Sequence, residues 1–107
     1  MSVVFISHAK EALAAENAAR NKALEIIGGK AEGYAKKLCP VDTGRLRNSI
    51  THQQYDESTE VIGTNVEYAP YVELGTHRQK AQPYLRPAAE NHSNEYRQVI
   101  ETTMKNA

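Results

Sequence analysis

The side chains able to do acid–base or metal chemistry are few and scattered. Histidines stand at His8, His52, His77 and His92, and the one cysteine is Cys39. No two of them share a metal-ligand spacing such as His-x-x-x-His, so no metal site is expected. Glu73 and His77 form a candidate acid–base pair, although a surface glutamate near a loop histidine is commonplace. Asp42-Thr43-Gly44 spells an aspartic-protease triplet, but Pro40-Val41 precedes it where a buried strand belongs, and no second copy follows. Gly28, Gly29 and Gly33 follow no strand, so they do not make a phosphate-cradling loop. Cys39 reads as a small buried hydrophobe at a helix end. A single cysteine closes no intrachain disulfide, which fits a reducing compartment. The residues therefore imply no catalytic group and no cofactor, and the chain is expected not to be an enzyme.

The elements that must position these side chains turn about one stretch, Pro40-Val41-Asp42-Thr43-Gly44-Arg45-Leu46-Arg47-Asn48-Ser49. Pro40 stops a helix, because its ring clashes with an earlier carbonyl and it has no N–H. Asp42 and Thr43 can each accept a hydrogen bond from the free N–H groups of a new helix. Gly44 lets the backbone turn. Leu46 and Ile50 stand four apart, so one helical turn points both inward.

Before that stretch, Val3 to Ile6 is β-branched and aromatic and suits an edge strand. It has no basic segment before it and no cleavage pattern after it, so no leader is expected. Ser7 can cap the helix that begins after it. From His8 to Leu38, alanine, lysine and glutamate predict a long helix. Ala12, Leu13, Ala19, Ala23, Leu24, Ile26, Ile27, Ala31, Tyr34 and Leu38 share one broad face of it. Glu16 and Arg20 interrupt the first half of that face, so the second half is the better placed to pack. Gly28-Gly29 predicts a kink or break, or else close approach by a neighbouring backbone.

After the stretch, Ser49 to Tyr55 alternates as a strand with one wet face. Asp56-Glu57-Ser58 marks a turn, and Thr59 to Thr64 is the return strand of a hairpin. Pro70 suits the first turn of a short helix that Gly75 closes. Residues 76–82 form a polar loop. Pro83 and Pro87 bracket Tyr84-Leu85-Arg86, and one last helix comes next, with Leu85, Ala89, His92, Tyr96, Val99 or Ile100, and Thr103 at helical spacing.

The chain has 107 residues, which suits a single domain spanning 1–107. Thirteen basic residues balance thirteen acidic ones. Zero net charge argues against a generic nucleic-acid binder, and the absence of a long apolar run argues against a membrane span. Tyr68, Tyr71 and Tyr84, with Glu73, Arg45, Arg47 and Arg86, are candidate interface residues, because tyrosine and arginine bury area while keeping a polar tip. A small aromatic core under the loop is the plainer reading of the tyrosines. Basic residues gather near Arg45 and Arg86 and acidic ones near Asp56, Glu57 and Glu60. Opposite patches suit head-to-tail contacts that close into rings.

Three blocks in order carry a resemblance: Pro-Val-Asp-Thr-Gly-Arg-Leu-Arg-Asn-Ser-Ile from Pro40, Tyr-Ala-Pro-Tyr-Val-Glu-Leu-Gly-Thr from Tyr68, and Gln-Pro-Tyr-Leu-Arg-Pro-Ala from Gln82. The chain resembles the small neck and tail-completion proteins of long-tailed double-stranded DNA phages, the minor head–tail joining proteins of the lambdoid HK type. The likeness spans roughly residues 38–89. Its turn-and-cap signature falls on Pro40, Asp42, Thr43, Gly44, Leu46 and Ser49, its aromatic-glutamate-glycine signature on Tyr68, Ala69, Tyr71, Glu73, Gly75 and Thr76, and its proline block on Pro83, Leu85 and Pro87. Leu74 and Tyr84 stand where phenylalanine is usual, and the loop 76–82 is short.

The resemblance implies a structural virion component with no cofactor. Copies would form a homo-oligomeric ring between the capsid connector and the tail. The partners implied are portal-adaptor or head-completion proteins and tail tube or terminator proteins, with DNA present only as the passing genome. Assembly would take place in the host cytoplasm, and the final place would be the virion neck or tail. The alternative is a small DNA-binding module using the Arg and Lys clusters. The fold expected is α+β, a long N-terminal helix and a C-terminal helix packed on a small, mainly antiparallel sheet.

Overall fold

A computed structural model of the chain describes residues 2–7, 17–40 and 44–105. In order these form β1 (Ser2–Ser7), α1 (Asn17–Leu38), α2 (Arg45–Ser49), β2 (Thr51–Asp56), β3 (Thr59–Thr64), α3 (Ala69–Leu74), α4 (Leu85–Glu90) and α5 (Ser93–Lys105). The fold is α+β: α1 and α4 pack on one antiparallel sheet, and α5 packs along α1.

The sheet has the order β1-β3-β2. The hairpin therefore forms as its sequence predicts, and Val3 to Ile6 adds a third strand on the far side of β3. Phe5 pairs with Val61, and Val61 with Gln53 on the other side. A bulge between Gln54 and Asp56 leads into the turn, where Asp56 Oδ1 accepts the Ser58 N–H at 2.9 Å. That hydrogen bond holds the Asp56 carboxyl below its usual range.

Burial is shared unequally between the strands. Nearly all of β3 is buried or half-buried, as its central place demands, whereas every residue of β2 except His52 is exposed. The expectation of a β2 strand with one dry face is thus corrected. β2 is an edge strand that meets α1 through His52, beside Glu25, and through Gln54, which donates to Asn21 Oδ1 at 3.0 Å.

α1 lies on the sheet through small residues. Ala19, Ala23, Ile27, Ala31 and Ala35, each four apart, are buried, with Leu24 beside them. Alanine lets the helix approach closely, while Leu24 and Ile27 bury most of the apolar area, at about 1.5–3 kcal/mol for each large side chain. Ile26 and Leu38, expected on this face, lie on the surface. Arg20 is tucked in beside Glu57 at 3.9 Å. The expected first part of the helix, residues 8–16, with Ala12, Leu13 and Glu16, lies outside the described residues, as does the Ser7 cap.

Two further expectations need correction. α1 runs unbroken through Gly28-Gly29. The reason for Gly28 is the close approach of two side chains from the sheet, not of a backbone. The single last helix is two, α4 and α5, separated at Asn91-His92. Asn91 closes α4 with its N–H on the Pro87 carbonyl at 2.9 Å, and the chain restarts at Ser93. Asn and Ser side chains compete for the backbone and so favour such junctions. Tyr96 spans the join, donating its hydroxyl to the Ala88 carbonyl at 2.6 Å. Tyr96 and Ile100 are both buried.

Candidate functional site

The turn motif acts as a joint. α1 ends at Leu38, the Cys39 N–H bonds the Ala35 carbonyl at 2.9 Å, and Pro40 prevents another turn. Cys39 is buried, and burial pushes its thiol up. Asp42 and Thr43, the expected caps, lie outside the described residues. Gly44 itself occupies the cap position of α2 at φ 84°, without a side-chain cap. Leu46 and Ile50 both turn into the core. Ser49 donates to the Leu46 carbonyl at 2.6 Å and pairs with the Thr64 hydroxyl, which also accepts the Val66 N–H at 3.1 Å. The motif thus fastens the end of α1 to the end of β3.

Arg45 leaves this joint for the surface. Its guanidinium meets the Glu67 carboxylate through two parallel hydrogen bonds of 3.1 and 3.0 Å and lies 5.6 Å from the centre of the Tyr68 ring. Arg45 in turn holds the Glu67 carboxyl below its usual range. Arg47 is exposed. Arg86 pairs with Glu90 at 2.9 Å, and Lys36 with Glu32 at 3.1 Å. Much of the basic clustering seen in sequence is therefore matched locally by acids.

The aromatic and proline blocks are joined by one carboxylate. Pro70 lies in the first turn of α3, and Gly75 ends that helix at φ 77° with its N–H on the Tyr71 carbonyl at 2.9 Å. A Cβ on Gly75 would come within 2.7 Å of the Ala81 nitrogen, so glycine is needed there both for space and for the positive φ. Glu73 Oε1 then accepts the N–H groups of Tyr84 at 3.1 Å and Leu85 at 2.9 Å, and Oε2 that of Arg86 at 3.3 Å. A carboxylate suits a helix start, where free N–H groups and partial positive charge coincide. Pro83 precedes this latch, and Pro87 falls in the first turn of α4.

The latch corrects the sequence reading of two interface residues. Glu73 is occupied inside the chain, and Tyr84 is fully buried. Tyr68 is half-buried against the core, so the small aromatic core exists. Tyr71 remains largely exposed, as does Leu74 beside it. His77 is exposed on the loop, and the Glu73 carboxylate is committed to α4 instead of to a shared proton with it.

The structure also gathers a cluster that no sequence spacing announced. Glu60, in β3, is completely buried. His52 of β2 contacts it through Nδ1 at 2.9 Å, while His52 Nε2 lies 3.7 Å from Glu25 and 4.0 Å from Glu32, both on α1. A Cβ on Gly28 would collide with the Glu60 carboxylate and the His52 ring, so glycine makes the room for them. The signal was present in part. Period-two alternation puts Glu60, Ile62 and Thr64 on one face of a strand, which marks Glu60 as an acid on a buried face.

The opposite face of the sheet carries Val3, Phe5 and Tyr55 in the open. Phe5 and Tyr55, from the two edge strands, meet edge to face with ring centres 4.9 Å apart. Among the described residues, all the helices that contact the sheet closely, α1 and α4, pack through its buried residues Ile6 and Ile62.

Compared with known families, residues 5–75 match the family model described as bacteriophage HK97-gp10, a tail component. The match begins at Phe5, within β1, runs to Gly75 and stops before the proline block. No curated protein and no solved structure matches the chain.

Proposed function

The chain belongs to this HK97-gp10-like family of bacteriophage tail components, and from that premise we propose that it is a ring-forming subunit at the junction of head and tail. Its role there is structural and not enzymatic. Copies sit between the capsid connector and the tail tube, contacting portal-adaptor or head-completion proteins on one side and tail tube or terminator proteins on the other. The genome passes through without being read. Assembly takes place in the host cytoplasm. No described helix is long and apolar enough to cross a membrane.

One observation carries the ring reading. Val3, Phe5 and Tyr55 form an exposed apolar face on a small sheet, with β1 and β2 as edge strands on either side of β3. Such patches mark interaction sites. Different edges on opposite sides suit a head-to-tail contact between copies, which closes into a ring when the rotation allows. Exposed Tyr71 and Leu74, on α3, offer a second contact for a different virion protein. The commitment of Glu73 to α4 and the burial of Cys39 support a role without turnover.

Gold-labelled antibody against the chain, applied to purified virions, tests the position. Label confined to the point where head meets tail is the expected result. Label along the tail shaft or at its far tip would place the subunit elsewhere and end the junction reading.

A further inference from the structure

We propose that Glu25, His52 and Glu60 bind one divalent transition-metal cation, with Zn2+ the best fit. The donors come from three different elements, α1, β2 and β3, and each offers one ligand atom within 4.8 Å of the others. Zn2+ holds nitrogen and oxygen at about 2.0–2.2 Å, which in a tetrahedron sets neighbouring donors roughly 3.3 Å apart. His52 Nε2 lies 3.7 Å from the Glu25 carboxylate, near that spacing, while its Nδ1 lies 2.9 Å from Glu60, so one ring nitrogen takes the ion and the carboxylates turn to meet it. Small rotations of Glu25, whose side chain is largely exposed, would complete the set.

The second observation is the state of Glu60. One of its oxygens faces His52. The other, Oε1, is buried with no hydrogen-bond partner among the described residues. A buried carboxylate oxygen without a donor is costly, and a cation supplies what it lacks.

Charge balance points the same way. The groups gathered here are Glu25, Glu32 and Lys36 from α1, His52 from β2 and Glu60 from β3. With the imidazole neutral, as a metal ligand must be, three carboxylates face one ammonium. The surplus of two negative charges matches a divalent ion. An imidazole among carboxylates favours Zn2+ over Mg2+ or Ca2+, which prefer all-oxygen shells. Gly28 keeps the gap between helix and sheet clear at this point.

The full chain, stripped with chelator, would be titrated with ZnCl2 by calorimetry and followed by thermal melting. The expected result is one Zn2+ per chain, a rise in melting temperature, and its reversal by excess chelator. Glu25→Gln changes a surface side chain and keeps the fold, yet should weaken binding at least about tenfold. With Co2+ in place of Zn2+, visible d–d absorption should appear in the native chain and vanish in His52→Gln. The proposal is overturned if no Zn2+ is bound, or if Glu25→Gln binds it as tightly as the native chain.

Discussion

Glu73 holds Tyr84 in place across the polar loop: its Oε1 accepts the Tyr84 backbone N–H at 3.1 Å, eleven positions along the chain. The same carboxylate serves Leu85 and Arg86, so a side chain of α3 is the cap of α4. Glu73→Ala should lower unfolding free energy by about 1–2 kcal/mol, the range of a lost helix cap. Glu73→Gln keeps one acceptor oxygen and should fall between the two. Urea denaturation of the three proteins checks the order. Equal midpoints would show that the cap contributes nothing.

Gly28 and Gly29 are neighbours in α1 with opposite surroundings. A Cβ on Gly28 would strike Glu60 and His52, whereas one on Gly29 meets nothing within 4 Å. Gly29→Ala should therefore stabilise by about 0.5–1 kcal/mol through helix propensity. Gly28→Ala gains the same propensity but forces the sheet side chains away, and should destabilise by about 1–3 kcal/mol. Thermal melts of the pair decide it, and shifts of the same sign would remove the packing explanation.

Tyr84 and Tyr96 are both fully buried, yet among the described residues only the Tyr96 hydroxyl finds a hydrogen-bond partner, the Ala88 carbonyl. Tyr84→Phe removes an unsatisfied polar group and should be neutral or stabilising. Tyr96→Phe should cost about 1 kcal/mol. Burial raises both hydroxyls above their usual value. A raised folded-state value means stability fully present below the unfolded value of about 10 and lost as pH rises beyond it. Stability measured at rising pH should fall on the alkaline side, and the slope should lessen in each Phe variant. A slope unchanged in both would assign alkaline unfolding to other groups.

Much of the fold was legible in the sequence. The hairpin announced itself through a polar turn between alternating runs, and α3 through Pro70 and Gly75. The parts that stayed hidden depended on distant partners. Glycines inside a helix look like a break until the sheet brings Glu60 and His52 against Gly28. Glu73 looks like a surface acid until α4 presents its N–H groups. The split at Asn91 hid inside an unbroken helical period, since Leu85, Ala89, Tyr96 and Ile100 keep their spacing across it. The cluster of Glu25, His52 and Glu60 comes from three separate elements, so no linear spacing reveals it.

Assembly should be separable from folding. Arg45 is half exposed in its pair with Glu67, and exposed pairs add little to stability. Changing Arg45 and Arg47 together to Glu should leave the melting temperature nearly unchanged while preventing assembly. Phe5→Glu with Tyr55→Glu should do the same from the open sheet face. Sedimentation of the variants, with complementation of phage growth, reads both. Full complementation by both double variants would move the contact elsewhere.

The most direct test of the joining role is electron microscopy of lysates from a host infected with phage lacking this gene. Filled heads and finished tails lying unjoined, restored to whole particles by the purified chain, are the predicted result. Whole, infectious particles formed without the gene would contradict it.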